Sequence, residues 1–179
     1  MEQTIDEYIL QHIDPESDYL HELWRTAYIH LMNPRMSSGH LQGRFLKMLV
    51  QMARPHRILE IGTYVGYSAL CMAEGLTDDD KLFTFEIDDE LEDFILENLT
   101  RAGKLGQKIH LHLGDALDLI PTISQEIQKP WDVCFIDADK RHYKEYYEMV
   151  LPYLRKGGLI LADNTLWDGK VLEEHPKES

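Results

Sequence analysis

From Ile58 onward the chain alternates short apolar runs with amphipathic stretches, and this alternation restricts the fold more than any other feature. The apolar runs are Ile58 to Ile61, Leu82 to Ile87, Ile109 to Leu113, Val133 to Ile136 and Leu159 to Ala162. Each has the length of a strand buried on both faces, too short for a helix. Helical spacing fits between them at Ser68 to Glu74, Glu90 to Ala102, Ala116 to Ile127 and Tyr143 to Leu154. Parallel strands need such crossovers, so the series predicts an α/β fold with a mostly parallel sheet and helices on both faces.

Three helices are predicted before the first strand. Thr4 to Ile13 places Ile5, Tyr8, Ile9 and Ile13 on one side. Asp14-Pro15 reads as an N-cap followed by proline in the first turn of the next helix. That helix carries the stripe Leu20, Leu23, Trp24, Ala27, Tyr28 and Leu31, and Pro34 ends it. Met36 to His40 reads as a loop. The third helix, about Leu41 to Ala53, carries Phe45, Leu46, Leu49 and Met52, and Pro55 stops it. With no linker or internal repeat, residues 1–179 read as one domain, a helical extension over 1–55 and a core over 56–179.

A length of 179 residues suits one domain with a sizeable core. No apolar run approaches the roughly 20 residues of a membrane span. The acidic start, Met1 to Asp6, lacks the basic and apolar regions of a secretory leader, so a cytoplasmic location is expected. The formal net charge of −14 repels phosphate backbones and disfavours general nucleic-acid binding. Cys71 and Cys134 sit inside apolar patterns and read as core residues.

Open parallel sheets bind ligands beyond the carboxyl ends of their strands. The first strand runs into Glu60-Ile61-Gly62-Thr63-Tyr64-Val65-Gly66-Tyr67-Ser68. Its two glycines let the backbone turn tightly beside a ligand. Ser68 falls at a helix start, where hydroxyl and backbone N–H groups hold a carboxylate. The spacing is neither that of a dinucleotide fingerprint nor that of a P-loop, and a plain tight turn is the other reading. Glu86 ends the second strand, twenty residues after Gly66, where an acid accepts from ribose hydroxyls. A solvated acid is the alternative there. Gly114-Asp115-Ala116 after the third strand suits the border of an adenine pocket.

The fourth and fifth strands carry the sharpest signal. Asp137-Ala138-Asp139-Lys140 follows the fourth, and Asp163-Asn164 follows the fifth. Asp137, Asp163 and Asn164 offer three oxygen donors at one sheet edge, a set suited to a hard cation such as Mg²⁺ that keeps open positions. The alternative is a set of acidic caps on turns.

Three stretches, ILEIGTYVGYSAL (58–70), FIDADKRHYKEYY (135–147) and LADNTLWDGKV (161–171), resemble the cation-dependent O-methyltransferases, the group that includes catechol and caffeoyl-CoA O-methyltransferases. The resemblance runs from about Met36 to Val171 and implies a Rossmann-like class I methyltransferase sheet using S-adenosylmethionine. Glu60, Gly62, Thr63, Ser68 and Ser38 are then expected at the methionine part of the cofactor. Glu86 is expected at the ribose and Ala116 at the adenine, with Asp139 and Tyr146 completing the pocket. Asp137, Asp163 and Asn164 are the expected ligands of a divalent cation, Mg²⁺ first, then Mn²⁺ or Ca²⁺. Lys140 is the expected general base. Trp167 is either a wall for an aromatic ring or a packed loop residue. Members of that family run on through another helix and two strands, whereas this sequence ends at Ser179. The C-terminal strands are therefore expected to be missing and one sheet edge exposed.

The expected activity is methyl transfer to a small molecule with vicinal hydroxyls, catechol-like. Two other readings are methylation of a hydroxylated uridine in tRNA, which the charge disfavours, and a truncated or nucleotide-binding module without this activity. A homodimer through the N-terminal helices is expected. His110 and His112 are expected on the less buried side of their strand, Asp78 to Asp80 as a solvated turn, and His40 at the surface or near substrate.

Overall fold

A computed structural model of the chain describes residues 4–172. Within them lie α1 (Ile5–His12), α2 (Asp18–His30), α3 (His40–Ala53), β1 (Arg57–Ile61), α4 (Tyr67–Ala73), β2 (Lys81–Glu86), α5 (Glu92–Arg101), β3 (Ile109–Leu113), α6 (Ala116–Ile127), β4 (Trp131–Ile136), α7 (Tyr143–Val150) and β5 (Leu154–Ala162). The five strands form one sheet in the order β3-β2-β1-β4-β5, with every pairing parallel.

Alternation along the strands sends neighbouring side chains to opposite faces. Ile58, Leu82, Val133 and Phe135 pack with Leu20, Leu23, Leu46, Leu70, Ile95 and other residues of α2 to α5. Leu59, Ile61, Phe85, Cys134 and Ile136 face the other way, toward Ile120 of α6 and Tyr146 and Val150 of α7. Trp131 is fully buried there, and its indole N–H is satisfied by Ser124 Oγ at 2.9 Å. Cys71 and Cys134 are free and buried, as expected. None of the described helices is long and apolar enough to cross a membrane.

Several local expectations give way. Ser17, not Asp14, caps α2, its side chain accepting from Leu20 N–H, so Asp14-Pro15 lies in the preceding loop. The helix stops at His30, four residues before Pro34, which instead opens a short 3-10 turn to Met36. On α3 the buried side is Gly43, Arg44, Leu46 and Val50, while Phe45 and Met52 are exposed. α1 buries none of its residues. β2 ends at Glu86 and leaves Ile87 exposed. The predicted helix to Leu154 ends at Val150, and Leu154 already belongs to β5. Asp80 is not solvated: it is buried, accepts from Thr77 N–H and Oγ1, and meets His56. His110 is exposed on β3 as expected, but His112 is half-buried like Leu111 and Leu113, its Nε2 enclosed, and the two rings stack against Phe83 and Phe85. Glu173 to Ser179 lie outside the described residues, as does the side chain of Trp167.

Candidate active site

The sheet order changes direction between β1 and β4, and that crevice is where such a sheet receives a ligand. Backbone bonds stitch the strand tips together there. Gly62 N–H donates to Phe85, Asp137 N–H to Ile61, Asp163 N–H to Ile136 and Gly114 N–H to Glu86, all at 2.8–3.0 Å. These bonds set the turns after the strands side by side along one edge. A cavity of about 950 Å³ opens over them. Of the predicted site residues, all but Glu60 line it.

Glu60 is wholly enclosed beneath the cavity wall. Ser68 Oγ and Thr84 Oγ1 each donate to its carboxyl at 2.6 Å. The Ser68 hydroxyl, expected to face a ligand carboxylate, is thus engaged by the protein's own acid. Burial drives the Glu60 pKa up to about 8 against the pull of these two donors, with Asp137 and Glu86 adding to the rise. Gly62, directly after β1, has φ +96°, and a Cβ there would lie 2.0 Å from the Asp137 carbonyl oxygen. Only glycine fits.

Glu86 is held by three backbone N–H groups. Those of Thr63 and Tyr64 reach Oε2 at 3.1 and 2.6 Å, and that of Asp88 reaches Oε1 at 3.0 Å. Its carboxyl group is therefore fixed at the cavity wall, where its oxygens can accept from hydroxyl donors. Thr63 and Ser38 are buried against the same wall. Ala116 begins α6 after the Asp115 cap, and Tyr146 is buried on α7. Asp139 caps the turn after β4 and accepts from Arg141 N–H and His142 Nδ1.

Asp137 and Asp163 end β4 and β5 as neighbours. Burial first, and the Asp163 charge second, raise Asp137 to about 6, while Lys140 opposes the rise. Lys140 Nζ donates to the Tyr143 hydroxyl and to the Asp163 carbonyl at 3.3 Å, and lies 3.6 Å from Asp137 Oδ1. Tyr143 in turn donates to Ile136 O at 3.2 Å. Asp163 accepts from the Asn164 backbone and side-chain amides at 2.8 and 2.7 Å, and from Gln42 Nε2 at 2.9 Å. Among the described residues no group of three or more His, Cys, Asp or Glu side chains gathers to hold a metal. The oxygen set here is two carboxylates and one amide. A largely buried carboxyl beside a second carboxylate suits a cation, and the all-oxygen chemistry suits a hard one.

Three residues at this site escaped the sequence reading. Gln42 reaches Asp163 from 121 residues away, and the Tyr143 hydroxyl meets Lys140 from the start of α7. Tyr64 binds Glu86 through its backbone and Asn33 O through its hydroxyl. Helical or loop spacing carries no signal for such contacts. His40, by contrast, opens α3 and bonds to Asp14 O without lining the cavity.

Residues 11–179 match the profile of a family described as O-methyltransferase. A catechol O-methyltransferase of Niastella koreensis is 38% identical over 176 residues, 98% of this chain and 79% of that protein. A caffeoyl-CoA O-methyltransferase of Stellaria longipes is 34% identical over 158 residues, 87% of this chain but 65% of its own length. Among solved structures, the Bacillus cereus O-methyltransferase in complex with S-adenosylhomocysteine superposes with a TM-score of 0.90 at 32% identity, covering 97% of this chain and 78% of that one. TomG of Streptomyces achromogenes, an O-methyltransferase involved in tomaymycin synthesis and solved with S-adenosylmethionine, gives 0.89 at 30% identity, covering 97% and 77%. Fold, strand-end geometry and sequence therefore agree that the chain belongs to the O-methyltransferase family, within the class I enzymes that take their methyl group from S-adenosylmethionine.

Proposed function

We propose that the chain methylates one hydroxyl of a small molecule bearing two vicinal hydroxyls, using S-adenosylmethionine and a divalent cation. The observation that carries this reading is the meeting of Asp137, Asp163 and Lys140 in the same cavity as Glu86. Glu86 accepts from the ribose of the methyl donor, with Gly62, Thr63, Ser38 and Ser68 along the methionine part. Ala116 borders the adenine, and Asp139 and Tyr146 close the pocket. Asp137, Asp163 and Asn164 hold the cation, which when bound stabilises the deprotonated form of an acceptor hydroxyl. Lys140, positioned by Tyr143, takes or stabilises the proton that leaves this hydroxyl. The acceptor oxygen then forms a bond to the methyl carbon as the carbon–sulfur bond breaks, releasing S-adenosylhomocysteine. Positioning of the two reactants supplies much of the rate. A cytoplasmic homodimer, joined through exposed apolar positions of the N-terminal helices, belongs to the same reading.

The test is methyl transfer from S-adenosylmethionine to simple diphenols, with and without EDTA. Turnover lost on chelation and restored by Mg²⁺ or Mn²⁺ is expected. Turnover indifferent to EDTA removes the cation from the scheme. Tight NAD binding without S-adenosylhomocysteine binding overturns the whole reading. Light scattering on the same sample reads the oligomeric state.

A further inference from the structure

Seven Asp and Glu residues line the cavity, against two Lys and Arg residues, Arg35 and Lys140. Lys140 is occupied by Tyr143, the Asp163 carbonyl and Asp137. Arg35 also lines the cavity, yet among the described residues it has no ion pair or side-chain hydrogen bond. Arg25, Arg54 and Arg57 likewise form no ion pair among the described residues, but of these arginines Arg35 alone lines the cavity. Its loop is nevertheless held in place. The Asn33 carbonyl, two residues earlier, accepts from the Tyr64 hydroxyl at 3.1 Å and from Met36 N–H at 3.0 Å. Tyr64 is the residue whose backbone binds Glu86. The guanidinium is thus carried by a turn tied to the cofactor side of the cavity.

We propose that Arg35 selects the acceptor: the dihydroxylated ring carries a carboxylate, and Arg35 binds it while the hydroxyls face Asp137 and Lys140. This rests on the O-methyltransferase reading above and adds the substrate class. The planar guanidinium fork matches a carboxylate with two parallel hydrogen bonds. A cavity so rich in acids repels an anionic acceptor unless a fixed cation offsets that field. A singly charged carboxylate meets less of this repulsion than a doubly charged phosphate. Met32 and Met36 flank Arg35, line the same cavity and are 95% and 60% exposed. Flexible thioethers of this kind make favourable contact with aromatic rings, so ring and carboxylate find complementary groups on one turn.

The test uses the full chain saturated with S-adenosylhomocysteine and Mg²⁺. It is titrated calorimetrically with 3,4-dihydroxybenzoate, 4-methylcatechol and dopamine, and methyl transfer to each is measured in parallel. The wild type is expected to favour the acid. Arg35→Gln is expected to lower the acid-to-neutral affinity ratio by about 10- to 100-fold, the range of a hydrogen-bonded charge. Arg35→Lys should regain part of it, and Arg35→Glu should turn the preference toward dopamine. An unchanged ratio in Arg35→Gln overturns the proposal. So does a rise in KM for S-adenosylmethionine in its place, which would assign the guanidinium to the methyl donor's carboxylate. Transfer without acid preference removes this inference and leaves the O-methyltransferase reading intact. Acid preference without transfer makes Arg35 a carboxylate-binding residue but overturns its role in choosing a methyl acceptor, and absence of both binding and transfer removes both readings.

Discussion

Gln42, on α3, donates from Nε2 to Asp163 Oδ2 at 2.9 Å, tying the N-terminal helices to the tip of β5. The contact leaves Asp163 with one oxygen braced by the Gln42 and Asn164 side chains and the other by the Asn164 backbone. A ligand carboxylate depends on such bracing, and loss of an outer partner typically costs about 10- to 100-fold in affinity or activity. Gln42→Ala is therefore expected to raise the Mg²⁺ concentration for half-maximal methyl transfer by about that factor. KM for S-adenosylmethionine should change little. An unaltered Mg²⁺ dependence would deny Gln42 this role.

Lys140 and Tyr143 form the next coupled pair. Burial and the charges of Asp137 and Asp163 push the Tyr143 hydroxyl above its ordinary range, so it stays protonated and donates its proton to the Ile136 carbonyl. Its lone pairs are then free to accept from Lys140 Nζ. Lys140→Met is expected to lower kcat by about 10²- to 10⁴-fold, the usual worth of a positioned proton acceptor. Tyr143→Phe should lower kcat by a smaller factor and shift the pH–rate profile, because it disturbs only the position of the amine. A fall confined to KM in both variants would place the pair in binding alone.

The alternation of apolar runs was enough to read a parallel sheet, since each run from Ile58 to Ala162 has a strand at its place. Boundaries failed where tertiary contacts overrode local pattern. β5 starts at Leu154, and Arg155 to Gly158 fall in the irregularity between the Trp131–Leu154 and Val133–Leu159 pairs, where an apolar run is not needed. The α3 stripe misled because that helix is apolar on two sides. Leu46 and Val50 meet the core, while Phe45, Met48 and Met52 face outward. The strand-end acids were legible because topology alone brings them to one edge. Glu60's enclosure was not, since it depends on Ser68 and Thr84 arriving from separate elements.

Glu60 makes stability depend on pH in a definite direction. Its folded carboxyl keeps the proton up to about 8, whereas the ordinary value is 4.5. Between these limits the folded state binds the extra proton, so this contribution is full below about pH 4.5 and is lost as pH rises through 8. Asp137 acts in the same sense but only up to about 6. His110 and His112, held below their ordinary 6.5 mainly by burial, act oppositely and only under more acidic conditions. Cys71 and Cys134, raised from 9.0 by burial, act in the same sense as Glu60 but only above about pH 8, so the interval from about pH 7 to 8 is where Glu60 dominates. Wild-type stability should fall there by at most about 1.4 kcal/mol per pH unit. Glu60→Gln, which mimics the neutral acid, should flatten the slope in urea denaturation. Equal slopes in both proteins would show that Glu60 does not hold its proton.

Gly62 gives the clearest steric prediction. Its φ of +96° disfavours any side chain, and an added Cβ would strike the Asp137 carbonyl 2.0 Å away. The clash is with backbone at the β1–β4 junction, so no rotamer change relieves it. Gly62→Ala is expected to cost more than about 3 kcal/mol, the upper range for point changes that combine strain with overpacking. Gly39, the N-cap of α3, is the matched control, because a Cβ added there would meet nothing within 4 Å and its φ is −101°. Gly39→Ala should stay within about 1 kcal/mol of wild type. Chemical denaturation of the two variants separates the outcomes. A Gly62→Ala protein as stable as Gly39→Ala would mean that the β1 and β4 turns part readily, and that Asp137 is not locked beside the cofactor turn.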